Sequence, residues 1–549
     1  MDVTDATLLF EKKLGQHAKG DRATKEDIIQ LTTALEFMPL AISQAAAYIK
    51  ERAPRLSVPQ YLKEFQKSNR KKISLLDHEG GRLRRDWEAK NSILITWQMS
   101  FDHIRQTRPS AANLISLMSF FDRQGIPEYL LRSRKERGEG DTSPTADDQD
   151  DLSYDYPSND VPSYDALSYD DDDQSSATES SMDDEFEDDI LTLRNYSLIS
   201  ISSDKTTFEM HRLVQLAMLK WLTARGQLEQ WKQQFIEILC SKFPTDIYNN
   251  WEVCNLLFSH VQSAVTQRPE NEGSLQIWAD LLNKASWYAF VMENIIETGR
   301  MAIMAMKARK RILGPDNQQT LDSIEMTGLS YELSGQWRKA EELHKQVMET
   351  RKRALGPEHP KTLNSMINLA GIYRTQRRWN EAEELGVQMM EISKRVNGVE
   401  HPITLDTIAS LAATYWNQEL WKEAEQLELE VMESRRRVLG SEHPHTLNSI
   451  ANLAATYWNQ ERWKEAEQLE VEVMDSRQRV LGPEHPSTLI SMNNLACTWD
   501  SMGKGQDALL LMTECVRLRS QRLGPDHPDT MKSASILAEW QEENRSSAI

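Results

Sequence analysis

Apolar positions in the second half of the chain recur in blocks that each fit two helices. From Pro360, the residues Leu363, Ile367, Leu369, Ala370 and Tyr373 share one helical face, and the polar run 375–378 breaks it. A second helix is predicted from about Trp379 to Val396, with Ala382, Leu385, Met389 and Met390 inward. Pro360 suits a first helical position, where a missing N–H loses no bond. Gly398 stands where a left-handed C-cap is expected. The block then repeats. Gly314, Gly356, Gly398, Gly440, Gly482 and Gly524 recur every 42 residues, and Trp337, Trp379, Trp421 and Trp463 keep the same interval, as do Tyr331, Tyr373, Tyr415 and Tyr457. A fixed period of this length marks one structural unit stacked on the next. The expected fold is therefore mainly α, with a C-terminal solenoid of helix pairs. Glu423 and Glu425 open one second helix and Arg435, Arg436 and Arg437 close it, which complements the helix dipole and makes the arginines structural.

Small residues refine the picture. Ala370, Ala412, Ala454 and Ala496 sit on the first helix of successive units, and Ala382, Ala424, Ala466 and Ala508 follow 12 residues later on the second. This Leu-Ala-x-x-Tyr spacing, followed by Ala, resembles the tetratricopeptide repeat. The 42-residue period with its HPxTL lead looks like the kinesin light chain subtype. The resemblance runs from about Ser274 to the C-terminus. The first unit is degenerate, with Ser286 and Thr298 at the small positions, and one closing helix ends the array. The family pattern also expects an aromatic four residues after the second-helix alanine. Here His344, Gly386, Glu428, Glu470 and Met512 stand there, and looser packing between repeats is expected.

Stacked helix pairs offer a groove lined by their first helices. Phase places Asn364, Asp406 and Asn448 on that wall, then Asn368, Ser410, Asn452 and Asn494, then Arg374, Trp416 and Trp458 with Asn417 and Asn459. An Asn side chain can give one donor and one acceptor to a peptide amide, and Trp supplies a broad contact surface. The tetratricopeptide resemblance implies that such positions bind extended peptides. The alternative is that the Trp residues pack between repeats and the Asn residues bond within the array.

The first 226 residues read differently. MPLAISQAAAYI, around Pro39, resembles the GLPLA segment of NB-ARC ATPases, and FEMHRL resembles their MHD motif, with Arg212 where Asp is expected. That resemblance would put Pro39 against adenine and His211 against the diphosphate of ADP. On the residues alone, His211 caps a helix and Pro39 breaks one. Helices, two β-prone runs at Leu198–Ser202 and Thr206–Glu209, and a final helix give a winged-helix order. The expected layout is a helical ARC-like segment over 1–90, a winged-helix-like domain over 91–226, a helical connector over 227–273 and the repeats over 274–549.

Excess charge is confined to one insertion. Residues 138–189 hold 20 acidic side chains and no Lys or Arg, and the whole net charge of −20 resides there. Such a segment cannot bury enough apolar surface to offset ordering, so it is expected to be disordered. An acidic interaction tail, a calcium-binding run and phosphorylation sites are the functional alternatives. The other 128 charged residues balance, which makes nucleic acid a poor partner.

Several function classes are excluded as expectations. No apolar run approaches a membrane span. Cys240, Cys254, Cys497 and Cys515 form no CxxC pair, which fits a reducing, cytoplasmic setting. The chain has no GxxxxGK[ST] string, so no cofactor is expected, with ADP or ATP entering only if an NTPase core is supplied elsewhere. The recurrent His359, His401, His443, His485 and His527 are read as loop residues, too dispersed for a metal. The expected function is a non-enzymatic interaction scaffold, the sensor half of an NB-ARC/tetratricopeptide regulator that binds a protein or peptide, with self-association open. The regulatory part of a nucleotide-dependent ATPase and a kinesin light chain-like cargo adaptor are the alternatives, and the adaptor lacks a visible heptad coiled coil.

Overall fold

The computed structural model describes residues 2–14, 25–35, 37, 39–52, 56–67, 93–132, 176–203, 205–245, 247, 250–525 and 527–547. The described residues divide into two compact units, one over the N-terminal half to residue 281 without 244–254, and one over 244–254 and 282–547.

In the first unit, α1 (Val3–Leu14), α2 (Lys25–Ala34), α3 (Pro39–Arg52) and α4 (Val58–Lys67) lead to α5 (Ile93–Thr107) and α6 (Pro109–Met118). Next come β1 (Ile126–Pro127), α7 (Glu128–Arg132), α8 (Ser176–Asn195), β2 (Ile199–Ile201), β3 (Thr207–Met210), α9 (Arg212–Ala224) and α10 (Leu228–Lys242). The three strands form an antiparallel sheet in the order β1-β3-β2, with Ile126 opposite Phe208 and Ile199 opposite Met210. Both β-prone runs are strands, and β1, two residues long, is too short to be seen in a periodicity. Phe120, Phe121 and Phe235 pack together with no exposed surface. The buried His260 fixes the turn before β1: its Nδ1 accepts from the Asp122 amide at 3.1 Å and its Nε2 lies 3.2 Å from the Gly125 carbonyl oxygen.

The acidic insertion ends differently from its expectation. Residues 133–175 lie outside the described residues, but α8 starts at Ser176, inside the segment expected to be structureless. The reason is a tertiary partner. Asp189 is 3% exposed and accepts from Arg108 Nε and Ser110 Oγ, both at 2.6 Å, so a buried carboxylate at the end of the acidic run is neutralised by a cation far away in sequence.

Chain order continues with α11 (Trp251–Val265), α12 (Glu272–Val291) and α13 (Ile295–Ile312). The regular repeats follow as pairs: α14 (Gln318–Leu333) with α15 (Trp337–Leu355), α16 (Pro360–Thr375) with α17 (Trp379–Val396), α18 (Pro402–Asn417) with α19 (Trp421–Leu439), α20 (Pro444–Asn459) with α21 (Trp463–Leu481), and α22 (Pro486–Ser501) with α23 (Gly505–Arg522). A single helix, α24 (Pro528–Ser547), ends the described array. The helix bounds predicted from Pro360 and Trp379 are those observed.

Local signals set these ends. In each HP step the histidine is the N-cap and the proline opens the helix; His359 Nδ1 accepts the Lys361 amide at 3.1 Å, and His401, His443 and His485 do the same one period on. The histidines are thus more than loop residues. The repeat glycines do not adopt the expected left-handed C-cap. Gly356, Gly440 and Gly482 have φ of 93°, 91° and 85° with ψ near 164°, a mirror-extended region open to glycine almost alone.

Packing follows the small residues. The eight alanines at the close-approach positions are at most 1% exposed. Between units, a buried arginine recurs. Arg435 Nη1 donates to the His445 carbonyl at 3.3 Å and to Ser449 Oγ at 2.8 Å in the next unit, while Nη2 reaches back to Asp406. Arg477 makes the same set with the Ser487 carbonyl, Ser491 and Asn448, and Arg351 with the Lys361 carbonyl, Ser365 and Asp322. Arg309 and Arg519 repeat the forward half. The arginine triplet is therefore structural, but its first member is a buried clamp across three helices; only Arg436 and Arg437 are surface ion pairs, with Glu472 and Glu400. One unit departs. Ser393 replaces the arginine, and Leu363, Met366, Ala370, Met389 and Ile403 form an apolar cluster at that joint. A buried ion pair and well-packed apolar side chains are near-equivalent solutions.

Removing one clamp strands its acceptors. Arg435→Ala is expected to cost roughly 3 kcal/mol in urea unfolding, because the Asp406 carboxylate loses its cation. Arg477→Ala is expected to cost less, because the amide of Asn448 is neutral. Equal losses would contradict the charge argument.

Candidate functional site

The structure sorts the predicted groove residues into closed and open groups. Asn368 donates from Nδ2 to Glu325 Oε1 at 2.9 Å. Arg374 Nη1 donates to Ser410 Oγ at 3.0 Å and to the Ser410 carbonyl at 3.2 Å, and burial holds its guanidinium below its ordinary pKa. Asp406 and Asn448 are held by Arg435 and Arg477. Asn417 and Asn459 each donate to a carbonyl one turn back, of Ala413 and Ala455. Asn364 is 7% exposed, in the joint where Ser393 stands. These side chains are engaged in holding the array.

Asn452 and Trp458 are exposed, Trp458 by 40%, and Trp416 and Asn494 are half-buried. The repeat itself explains the difference. Asn368 meets Glu325, which lies 43 residues earlier. At the equivalent positions before Asn452 and Asn494 stand Ala409 and Ala451, which offer no acceptor. Arg374 meets Ser410, which lies 36 residues later. By the same offset, the positions equivalent to this pair are Trp416 with Asn452 and Trp458 with Asn494. The two central repeats therefore keep two Trp–Asn steps where the preceding repeats are closed by charge. The indole of Trp416 meets Trp421 edge-on at 5.6 Å, and its buried Nε1–H lacks a hydrogen-bond partner among the described residues. The signal that sequence reading missed was the residue 43 positions upstream of each asparagine.

The row of aromatic departures is fully packed, not loosened. His344 has no exposed surface, with Nε2 2.8 Å from Glu332 Oε1, and fits because Gly328 has no side chain: a Cβ there would lie 2.7 Å from Nε2. A Cβ on Gly386 would lie 3.0 Å from Leu411 Cδ1, so α17 and α18 meet closely. Glu428 and Glu470 are each 6% exposed. Thr456 Oγ1 donates to Glu428 Oε2 at 2.6 Å. Burial pushes both carboxyls up to about 7, partly opposed by the threonine hydroxyls.

The residues placed by the nucleotide-switch resemblance have ordinary local roles. His211 is the N-cap of α9, with Nδ1 accepting the Leu213 amide at 3.2 Å. Pro39 is exposed and opens α3. Among the described residues, one group could geometrically hold a cation, Glu293, His527 and Asp529, with ligand atoms within 4.8 Å of one another.

Comparison with known proteins agrees with the repeat geometry. Residues 328–395 match one tetratricopeptide repeat family, and residues 404–445, 446–487 and 488–529 match another, one unit each. Residues 102–226 match a family described as a domain of unknown function, DUF7779. A nucleotide-binding leucine-rich repeat (NLR)-like protein of Hyaloscypha variabilis is 30% identical over 330 residues, 59% of this chain and 28% of that relative. The chain thus spans 28% of the length of the curated relative it matches. Among solved structures, the nearly identical TPR-like repeats of a putative kinesin light chain from Podosopora anserina are 31% identical, covering 37% of this chain and 95% of theirs with a TM-score of 0.33. A STAND protein with a tetratricopeptide repeat sensor from Pyrococcus horikoshii is 11% identical, covering all of this chain and 74% of its own, with a TM-score of 0.32. The C-terminal array is a tetratricopeptide repeat scaffold, a fold that serves protein–protein contact. The chain carrying it is similar to that NLR-like protein over 59% of its length. Among the described residues, no helix is long and apolar enough to cross a membrane.

The buried carboxyls give a pH signature. Their folded pKa of about 7 exceeds the ordinary 4.5, so the folded state holds extra protons between those values. The stability they carry is full below about pH 4.5 and is lost as pH rises through 7. Glu428→Gln and Glu470→Gln are each expected to stabilise the array at pH 8, by roughly 1–3 kcal/mol, and to change little at pH 4.5. Urea unfolding at the two pH values reads the difference, and a pH-independent gain would refute the assignment.

Proposed function

We propose that the chain is a protein-interaction scaffold, the sensor half of an NLR-type regulator, and that the central repeats bind an extended peptide of a partner protein. The observation that carries this reading is the exposure of Asn452 and Trp458, with Trp416 and Asn494 half-buried at the equivalent positions of the neighbouring units, in an array whose equivalent polar groups are elsewhere bonded internally. Each exposed asparagine amide can give one donor and one acceptor to a peptide group. Each indole offers apolar area at low entropic expense. The winged-helix reading of the first unit fits here as the part that would receive the signal: β2, β3 and α9 follow helices α5 to α8 in the expected order, with β1 between α6 and α7. The reading assigns binding, not catalysis, to this chain. Nucleotide would enter only through an NTPase core supplied elsewhere, because this sequence holds no GxxxxGK[ST] string.

Two kinds of variant test it on the full chain. Peptides would first be selected from a random display library on the unaltered protein. Asn452→Ala with Trp458→Ala is then expected to weaken their binding at least about 100-fold, with the melting temperature nearly unchanged. Ala409→Glu with Ala451→Glu should close the same groove from within, by giving Asn452 and Asn494 the acceptor that Glu325 gives Asn368. A large fall in melting temperature for the first variant, or peptide binding untouched by both, would return these residues to a packing role.

A further inference from the structure

The repeat array touches itself. Trp251, at the start of α11, meets His485 edge-on, with ring centres 5.3 Å apart, and the Arg522 guanidinium lies 4.8 Å from the same indole. Glu293, in the turn between α12 and α13, places Oε2 3.8 Å from His527 Nε2 beside Asp529. The contacts join the start of α11 and the turn after α12 to the last repeat and the closing helix. They are in register: Trp251 and Glu293 are 42 residues apart, and so are His485 and His527.

The histidines suit this use because of where they cap. His485 Nδ1 accepts the Ser487 amide at 3.1 Å and His527 Nδ1 accepts the Asp529 amide at 3.3 Å. In a neutral imidazole the proton is then on Nε2, on the outward side of the ring. His527 therefore presents an N–H towards Glu293, not a lone pair, which argues against a metal ion among Glu293, His527 and Asp529 despite their convergence. His485 presents its ring edge to Trp251, the preferred aromatic arrangement. Burial, Arg477 and Arg522 pull His485 down to about 4, so its ring stays neutral against the indole. Along the row of capping histidines, His401 is exposed and His359 half-buried, while His485 is 2% exposed.

We propose that Trp251 and Glu293 form an intramolecular latch on the edge of the array, Trp251 seated on His485 and Arg522 and Glu293 on His527 and Asp529. A solenoid otherwise coheres through nearest-neighbour contacts and flexes along its length. A latch between segments so far apart along the array restricts that flexing. Opening requires both contacts to part together, because they lie one period apart on the same edge. The latch does not depend on what occupies the groove, so it is tested without peptide.

The test uses the full chain with Trp251→Ala, Glu293→Gln and both together, read by amide hydrogen exchange and small-angle X-ray scattering. The double variant is expected to exchange about tenfold faster in residues 288–295 and 528–535, with residues 405–455 unchanged, and to show a larger radius of gyration. Glu293→Gln alone leaves every cap and helix in place and should speed exchange only at the His527 contact, which guards against a folding defect of Trp251→Ala. Unchanged exchange and radius in the double variant would overturn the latch. So would a chelator that by itself raised exchange at residues 288–295 and 528–535 of the unaltered protein, since that would make a bound cation the tie.

Discussion

The array depends on a guanidinium buried between helices. Each clamp arginine joins its own helix to the first helix of the following unit and, where an acceptor exists, to the first helix of its own unit. A desolvated cation is tolerable only when its donors are matched by acceptors at fixed positions. The clamp therefore specifies the offset between successive units as well as holding them. Apolar packing of the alanines sets how close two helices come, but it would accept a small slide. A forked donor shared among a carbonyl, a hydroxyl and a carboxylate or amide accepts much less. The Ser393 joint uses apolar filling instead, which leaves the offset there to the close approach at Gly386.

The same geometry determines what remains for binding. Polar groups on the first helices are needed by the clamps and by the charge pairs next to them. Asp406, Asn448, Asn368 and Arg374 look like groove residues and are engaged in cohesion. A site survives only where an upstream acceptor has been replaced by alanine. Recognition and stability thus share one face, and the central repeats give up some internal bonding where Asn452 and Trp458 stand exposed. The buried Glu428 and Glu470 lie at the neighbouring interfaces of those repeats, so the most pH-sensitive joints adjoin the open steps.

Much of this was legible beforehand at the level of the repeat. A period of 42, the HP step and the spaced alanines fix helix starts, ends and contacts because each is a local or nearest-neighbour effect. The histidines were read as loop residues because an Nδ1 cap cannot be told from a loop position without backbone direction. Looser packing was expected at the aromatic departures because residue size was weighed without its partner. His344 is accommodated by Gly328, which lies on the facing helix.

By itself, the sequence determined the architecture of the C-terminal half, since periodic local propensity leaves one way to stack the units. It also determined that the excess of negative charge resides in one insertion. Tertiary structure alone decided which asparagines are free, because that turns on residues 43 and 36 positions away across a helix interface. It decided that the acidic run ends in a helix, through the burial of Asp189 against Arg108. It decided that the first and last parts of the array meet, because a superhelical pitch is the sum of many small rotations that no single repeat encodes.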